Sequence, residues 1–144
     1  MFGKKRILAV DDSPISLLAI EQKLSNNYEI ITVNSGLRAL RYLKEEKPDL
    51  ILLDVKMALK DGIETLKDIR EMEGCASIPV IMLTSTRERG TIVESSKLGV
   101  YDYVLKPFDT KDLERRIELA LMKAEDETAE GPDETAEGPD EKEE

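Results

Sequence analysis

Apolar residues recur along this chain in two rhythms. Short runs, leucine-rich or β-branched, stand at 6–10, 28–33, 50–53, 78–83 and 100–105. Longer stretches of helical spacing lie between them. The short runs predict strands and the longer stretches helices. The third run, Leu50 to Leu53, is apolar at every position. That pattern suits a strand covered on both faces, as in a parallel sheet. Pro79 falls near the start of the fourth run, where a missing donor is tolerated.

Punctuation between the runs agrees with this reading. Ser13 suits a helix N-cap and Pro14 the first helical position. The helix that follows is expected to align Ile15, Leu18, Ala19 and Gln22. Asn34–Ser35–Gly36 opens a second helix with Leu37, Leu40 and Leu43 on one face, and Pro48 ends that unit. Ile63 to Met72 forms a third, with Ile63, Leu66 and Ile69 in line. Ser85 and Glu88 have capping-box spacing before a fourth, which closes at Leu98–Gly99. Asp109 or Thr110 caps a fifth helix carrying Leu113, Ile117, Leu119 and Leu121.

Five β–α units in succession predict an α/β fold: a five-stranded parallel sheet with right-handed crossovers and helices on both faces. Polar residues follow the strands at Asp11–Asp12, Asp54, Thr84 and Lys106. In open parallel sheets ligands bind outside the carboxyl ends of the strands, at a switch in strand order. The flavodoxin-like order 2-1-3-4-5 sets strands one and three side by side, so these residues are expected to meet at one edge.

Charge changes the picture only after it is localised. The net charge of −10 resides from Ala124 onward, where eleven acids face one lysine; residues 1–123 hold twenty of each sign. A domain over 1–123 is therefore balanced, which argues against a chain-wide nucleic-acid surface. Residues 124–144 repeat DETAEGP without Leu, Ile or Val to form a seam, and their composition predicts an acidic, disordered tail. No apolar run approaches the roughly 18 residues of a membrane span, and the run after Lys4–Lys5–Arg6 is too short for a secretion signal. Cys75 is the sole cysteine, so no intramolecular disulfide forms. The absence of histidine excludes His-ligated metals and Ser-His-Asp triads.

The convergent residues have a coherent chemistry. Three carboxylates in one crevice repel, by about 4 kcal/mol for two charges ~4 Å apart at an effective dielectric near 20. A hard divalent cation relieves this, and Mg²⁺ combines a few carboxylates with waters and a phosphoryl oxygen. A carboxylate oxygen can then attack phosphorus to give an aspartyl phosphate. Lys106 supplies positive charge to the phosphoryl oxygens, and Thr84 and backbone N–H groups supply donors.

With Asp11–Asp12, Asp54, Asp61–Gly62, Thr84 and Lys106–Pro107–Phe108 in this order, the chain from residue 4 to about 123 resembles the receiver domains of two-component response regulators. The resemblance implies that Asp54 is the phosphoacceptor. It implies Mg²⁺, with Mn²⁺ able to replace it, on Asp11, Asp12, Asp54 and the Lys56 backbone carbonyl. Thr84 and Tyr103 are the implied switch residues, Lys106 the partner of the phosphoryl group, and the Lys106–Pro107 bond is implied to be cis. Ser85 sits where the family often keeps a small residue. Ala58 departs from the family, many of whose members have Pro there, and Lys56 and Lys60 add cations near the site.

The implied function is a cytoplasmic signalling switch, not an enzyme beyond its own phosphorylation and dephosphorylation. A histidine kinase or phosphotransfer protein donates the phosphoryl group, because the chain has no histidine. Output is by protein–protein contact, without direct nucleic-acid or membrane binding. The chain is expected to be a monomer or a weak phosphorylation-dependent dimer, with Asp102 and Arg116 as candidates to pair across it. No output domain is expected after the fifth helix. The alternatives are the receiver portion of a longer protein, or a phosphorelay intermediate. A phosphate-ester hydrolase is disfavoured, because such enzymes want an acid–base group two residues past the nucleophile, where Lys56 stands.

Overall fold

The computed structural model describes residues 3–130. Five strands, β1 (Lys5–Val10), β2 (Tyr28–Val33), β3 (Leu50–Leu53), β4 (Val80–Thr84) and β5 (Asp102–Leu105), alternate with five helices. The helices are α1 (Pro14–Leu24), α2 (Gly36–Glu45), α3 (Gly62–Glu71), α4 (Arg89–Lys97) and α5 (Thr110–Glu130). The strands form one parallel sheet in the order β2-β1-β3-β4-β5, as the sequence pattern predicts. Side chains alternate across it. Leu8, Val10, Ile51, Leu53 and Met82 pack on one face with Ala39 and Leu43 of α2 and Leu66 and Ile69 of α3. Ile7, Ala9, Leu50, Leu52 and Ile81 pack on the other with Ile20 and Leu24 of α1 and Leu113 and Ile117 of α5. The three central strands are thus covered twice, which is why they read as unbroken apolar runs.

The helix boundaries follow their caps. Ser13 Oγ accepts from the Ser16 N–H at 3.2 Å, with Pro14 at the first helical position. Ser35 does the same for α2. Asp61 and Glu64 form a reciprocal capping box at α3. Asp109 caps α5, accepting from the Asp112 N–H at 2.8 Å.

Several expectations need correction. In α1, Ile15 is 81 % exposed and Leu18 54 % exposed, whereas Ile20 and Leu24 are buried. This helix is apolar on more than one side, so helical spacing fits two faces, and packing against the sheet and α5 selects between them. Leu37 of α2 is also exposed, and Ala39 takes the buried place beside Leu43. Ser85 and Glu88 form no capping box: α4 begins at Arg89, and its N-cap Glu88 makes no side-chain capping bond. Ser85 lies at a bend immediately after β4, and residues 86–88 separate it from the start of the helix. Finally, α5 runs past residue 123 to Glu130. Residues 131–144, with most of the DETAEGP repeats, lie outside the described residues. No helix among the described residues is long and apolar enough to cross a membrane.

Candidate phosphoacceptor site

The sheet ladder carries on for one residue past its strands and so aims the site. The Asp54 N–H donates to the Val10 carbonyl at 3.0 Å, Asp11 to Val33 at 3.2 Å and Lys106 to Thr84 at 2.9 Å. Adjacent strand ends thereby bring Asp11, Asp54, Thr84 and Lys106 together. Asp11 and Asp54 are buried, at 1 % and 8 % exposure.

Each side chain is held by specific partners. Asp11 Oδ1 accepts the Ser13 N–H at 2.9 Å, and Oδ2 lies 2.5 Å from Lys106 Nζ. Asp54 Oδ1 accepts the Val55 N–H at 2.8 Å, and Oδ2 is 3.5 Å from Lys106 Nζ. One ammonium therefore serves two buried carboxylates. Burial is the main force pushing the Asp54 carboxyl above its ordinary value, and the Asp11 charge adds to it. The Thr84 hydroxyl, Lys106 and the Val55 N–H oppose that rise without cancelling it. Asp54 is thus a carboxylate short of compensating charge, a state that favours bringing in a further cation.

Glycine sets the floor of the site. A Cβ on Gly62 would lie 2.1 Å from the Asp54 carbonyl oxygen and 2.8 Å from Val55 Cα. The Gly62 N–H donates to the Val55 carbonyl at 2.7 Å. The Asp61–Gly62 pair is therefore where α3 can start directly against the backbone at the end of β3.

Other predicted residues fall around this centre. Asp12 is exposed, and its Oδ2 accepts the Ala58 N–H at 3.0 Å, tying the loop after β1 to the loop after β3. Lys56 is exposed beside this mouth. Lys60 is drawn away, bonding Asp68 at 2.7 Å. The Tyr103 hydroxyl donates to the Thr86 carbonyl at 2.8 Å, and burial raises its phenol, keeping it a neutral donor. The Lys106–Pro107 peptide is cis. Asp102 and Arg116, expected as partners across a dimer, instead bond each other within one chain through two 2.8 Å contacts. The short step from β5 to α5 puts them face to face.

Two residues escaped the sequence reading. Ser16 Oγ accepts from Lys106 Nζ at 3.1 Å. Thr86 links Thr84 to Tyr103, its N–H donating to Thr84 Oγ1 at 3.2 Å. Neither carries a motif; both are picked out only by tertiary neighbours.

The acidic donors are all oxygen, which suits a hard cation such as Mg²⁺. Among the described residues no three acidic side chains form a ready-made cation site. Lys106 bonds both Asp11 and Asp54, while Asp12 is engaged by the Ala58 amide. A divalent ion would take over charge compensation that Lys106 now supplies.

This fold and this strand-end arrangement define a class, and the chain belongs to it: residues 7–118 match the response regulator receiver domain family. It is similar to the alkaline phosphatase synthesis transcriptional regulatory protein PhoP of Bacillus subtilis, with 36 % identity over 84 % of this chain and 50 % of that protein. It also resembles the CheY-like receiver domain protein of Methanospirillum hungatei, with a TM-score of 0.81 and 28 % identity, covering 86 % of this chain and 98 % of that one. A third likeness is to the receiver domain of a Pseudomonas aeruginosa sensor histidine kinase, solved with a magnesium ion coordinated in its active site cleft. There the TM-score is 0.77 and the identity 29 %, covering 83 % and 99 % of the two chains. The chain spans about half or less of the curated relatives it matches.

Proposed function

We propose that this chain is a phosphorylation-driven signalling switch in which Asp54 accepts a phosphoryl group from a phosphohistidine on a histidine kinase or phosphotransfer protein. The observation that carries this reading is the buried Asp54–Asp11 pair sharing the single ammonium of Lys106. An Asp54 carboxylate oxygen attacks phosphorus, and the P–N bond breaks with its electrons on the leaving imidazole. The new phosphoryl oxygens carry negative charge, and Lys106 is placed to neutralise part of it. Asp11, Asp12, Asp54 and the Lys56 carbonyl are the residues proposed to hold Mg²⁺, whose charge would offset that of the incoming phosphoryl group. Thr84 and Tyr103 then pass the change to the loop before α4.

The donor must reach the mouth of this site. Ile15 at the start of α1 and Leu59, next to the Ala58 that bonds Asp12, are large exposed apolar side chains, Leu59 at 97 %, and Leu18 is exposed one turn further along α1. They are a suitable apolar rim for a partner helix. A receiver portion of a longer, cytoplasmic protein is the second reading for output, supported by the fraction of its relatives that the chain spans. Incubation with Mg²⁺ and acetyl phosphate followed by intact mass tests the central claim. A single phosphoryl adduct is expected on the wild type and none on Asp54→Asn. Equal labelling of the two would refute it.

A further inference from the structure

At the edge of the sheet opposite Asp54 lies a groove of about 420 Å³. Ile78 and Pro79, just before β4, and Val100 and Tyr101, just before β5, line one part of it. Lys123 of α5 and Arg70, from the last turn of α3, supply its positive charge.

Arg70 braces the carbonyls of Ala76, Ile78, Leu98 and Gly99. A guanidinium has five N–H groups, so one N–H is left without an acceptor among the described residues. No carboxylate among those residues bonds it, and burial pulls the guanidinium below its ordinary value. The carbonyls satisfy its donors and leave its charge uncompensated. Lys123 meets Glu127 only loosely, at 3.9 Å. The groove thus has the room and the charge to take a carboxylate.

The chain carries carboxylates immediately beyond it. Glu127 stands on the rim of the groove, and α5 ends three residues later at Glu130. Gly131–Pro132 follows, a pair suited to stopping a helix, and then Asp133 and Glu134. From Glu127 the helix advances about 4.5 Å to its end. Three or four extended residues then span about 10–14 Å, enough to turn back into the groove. So short a tether raises the effective concentration of these carboxylates to the millimolar range.

We propose that the acidic segment after α5 is a ligand of its own domain, with Asp133 and Glu134 seated in this groove on Arg70 and Lys123. Seated there, it ties α5 to α3 and to the turn between α4 and β5, and it leaves the phosphoacceptor edge open. The inference stands apart from the switch reading.

The sign of a charge deletion tests it. The end of α5 carries Glu125, Asp126 and Glu127 and has no base in its last turn. Acids there oppose the helix dipole, so an undocked acidic tail repels the helix end, and neutralising it would raise stability. Two full-length double variants remove the same charge: Asp133→Asn/Glu134→Gln beside the groove, and Glu143→Gln/Glu144→Gln at the far end of the segment. In urea unfolding at low salt, the first is expected to lower the folding equilibrium constant at least about threefold, as for a charged hydrogen bond near the surface. The second is expected to match the wild type. The Arg70 Nε–H resonance and the amides of Gly99 and Tyr101 should shift in the first variant, while those of Arg38 and Arg41, the exposed arginines of α2, stay in place. A smaller loss, a gain in stability, equal effects of the two variants, or shifts centred on α2 overturns the proposal.

Discussion

A methyl group on Gly62 should damage both the fold and the site, while the same change at Gly90 should help. At Gly62 the new Cβ would meet Asp54 O at 2.1 Å, Val55 Cα at 2.8 Å and Asp54 C at 2.9 Å. All three are backbone atoms, so no side chain can swing aside. Restoring ordinary contact requires the start of α3 and the Asp54 backbone to separate by roughly 1 Å. Overpacking of this kind costs about 1–3 kcal/mol. Loss of the 2.7 Å bond from Gly62 N–H to Val55 adds about 1 kcal/mol. Removing a helical glycine returns roughly 0.5–1 kcal/mol. The net expectation for Gly62→Ala is a loss of about 1–3.5 kcal/mol in urea unfolding. A 1 Å displacement at a reacting group can cost on the order of 100-fold in rate, so labelling by acetyl phosphate should slow at least tenfold. Gly90 lies in α4 with nothing within 4 Å of its would-be Cβ. Gly90→Ala should gain about 0.5–1 kcal/mol. Equal stabilities and equal labelling rates for Gly62→Ala and the wild type would refute the close-approach argument.

Further outcomes follow from other contacts. The Arg70 guanidinium donates to the carbonyls of Ala76, Ile78, Leu98 and Gly99 at 2.9–3.2 Å, and among the described residues no carboxylate bonds it. Arg70→Met should lose about 2–4 kcal/mol in urea unfolding, and Arg70→Lys should recover little, because an ammonium cannot span the four acceptors. Burial raises the Asp54 carboxyl above the ordinary 3.8. Its protonated form thus favours folding, and that contribution is lost as pH rises through the raised value. Asp54→Asn in EDTA should therefore be more stable than the wild type at neutral pH, with the gap closing below about pH 4; a pH-independent gap would contradict this. Arg116→Ala should destabilise the isolated chain by about 0.5–1 kcal/mol at concentrations where sedimentation shows a monomer, because its partner Asp102 is on the same chain.

Much of this protein is legible before it folds. The all-apolar run Leu50–Leu53 announces a strand covered on both faces, because burial on two sides leaves no polar position. Asp11, Asp54, Thr84 and Lys106 each follow or end a strand, and a parallel sheet must bring such ends to one edge. Ser13, Ser35 and Asp109 mark helix starts through bonds within one turn, so local sequence suffices. The structure alone chose the buried face of α1, because Ile15–Leu18 and Ile20–Leu24 both satisfy helical spacing and only the neighbouring elements distinguish them. It alone joined Ser16 to Lys106, paired Asp102 with Arg116 inside the chain, and left the Thr86 hydroxyl unpartnered. Those outcomes depend on distances between segments far apart in sequence. Periodicity records which side of an element is apolar; it does not record what stands opposite.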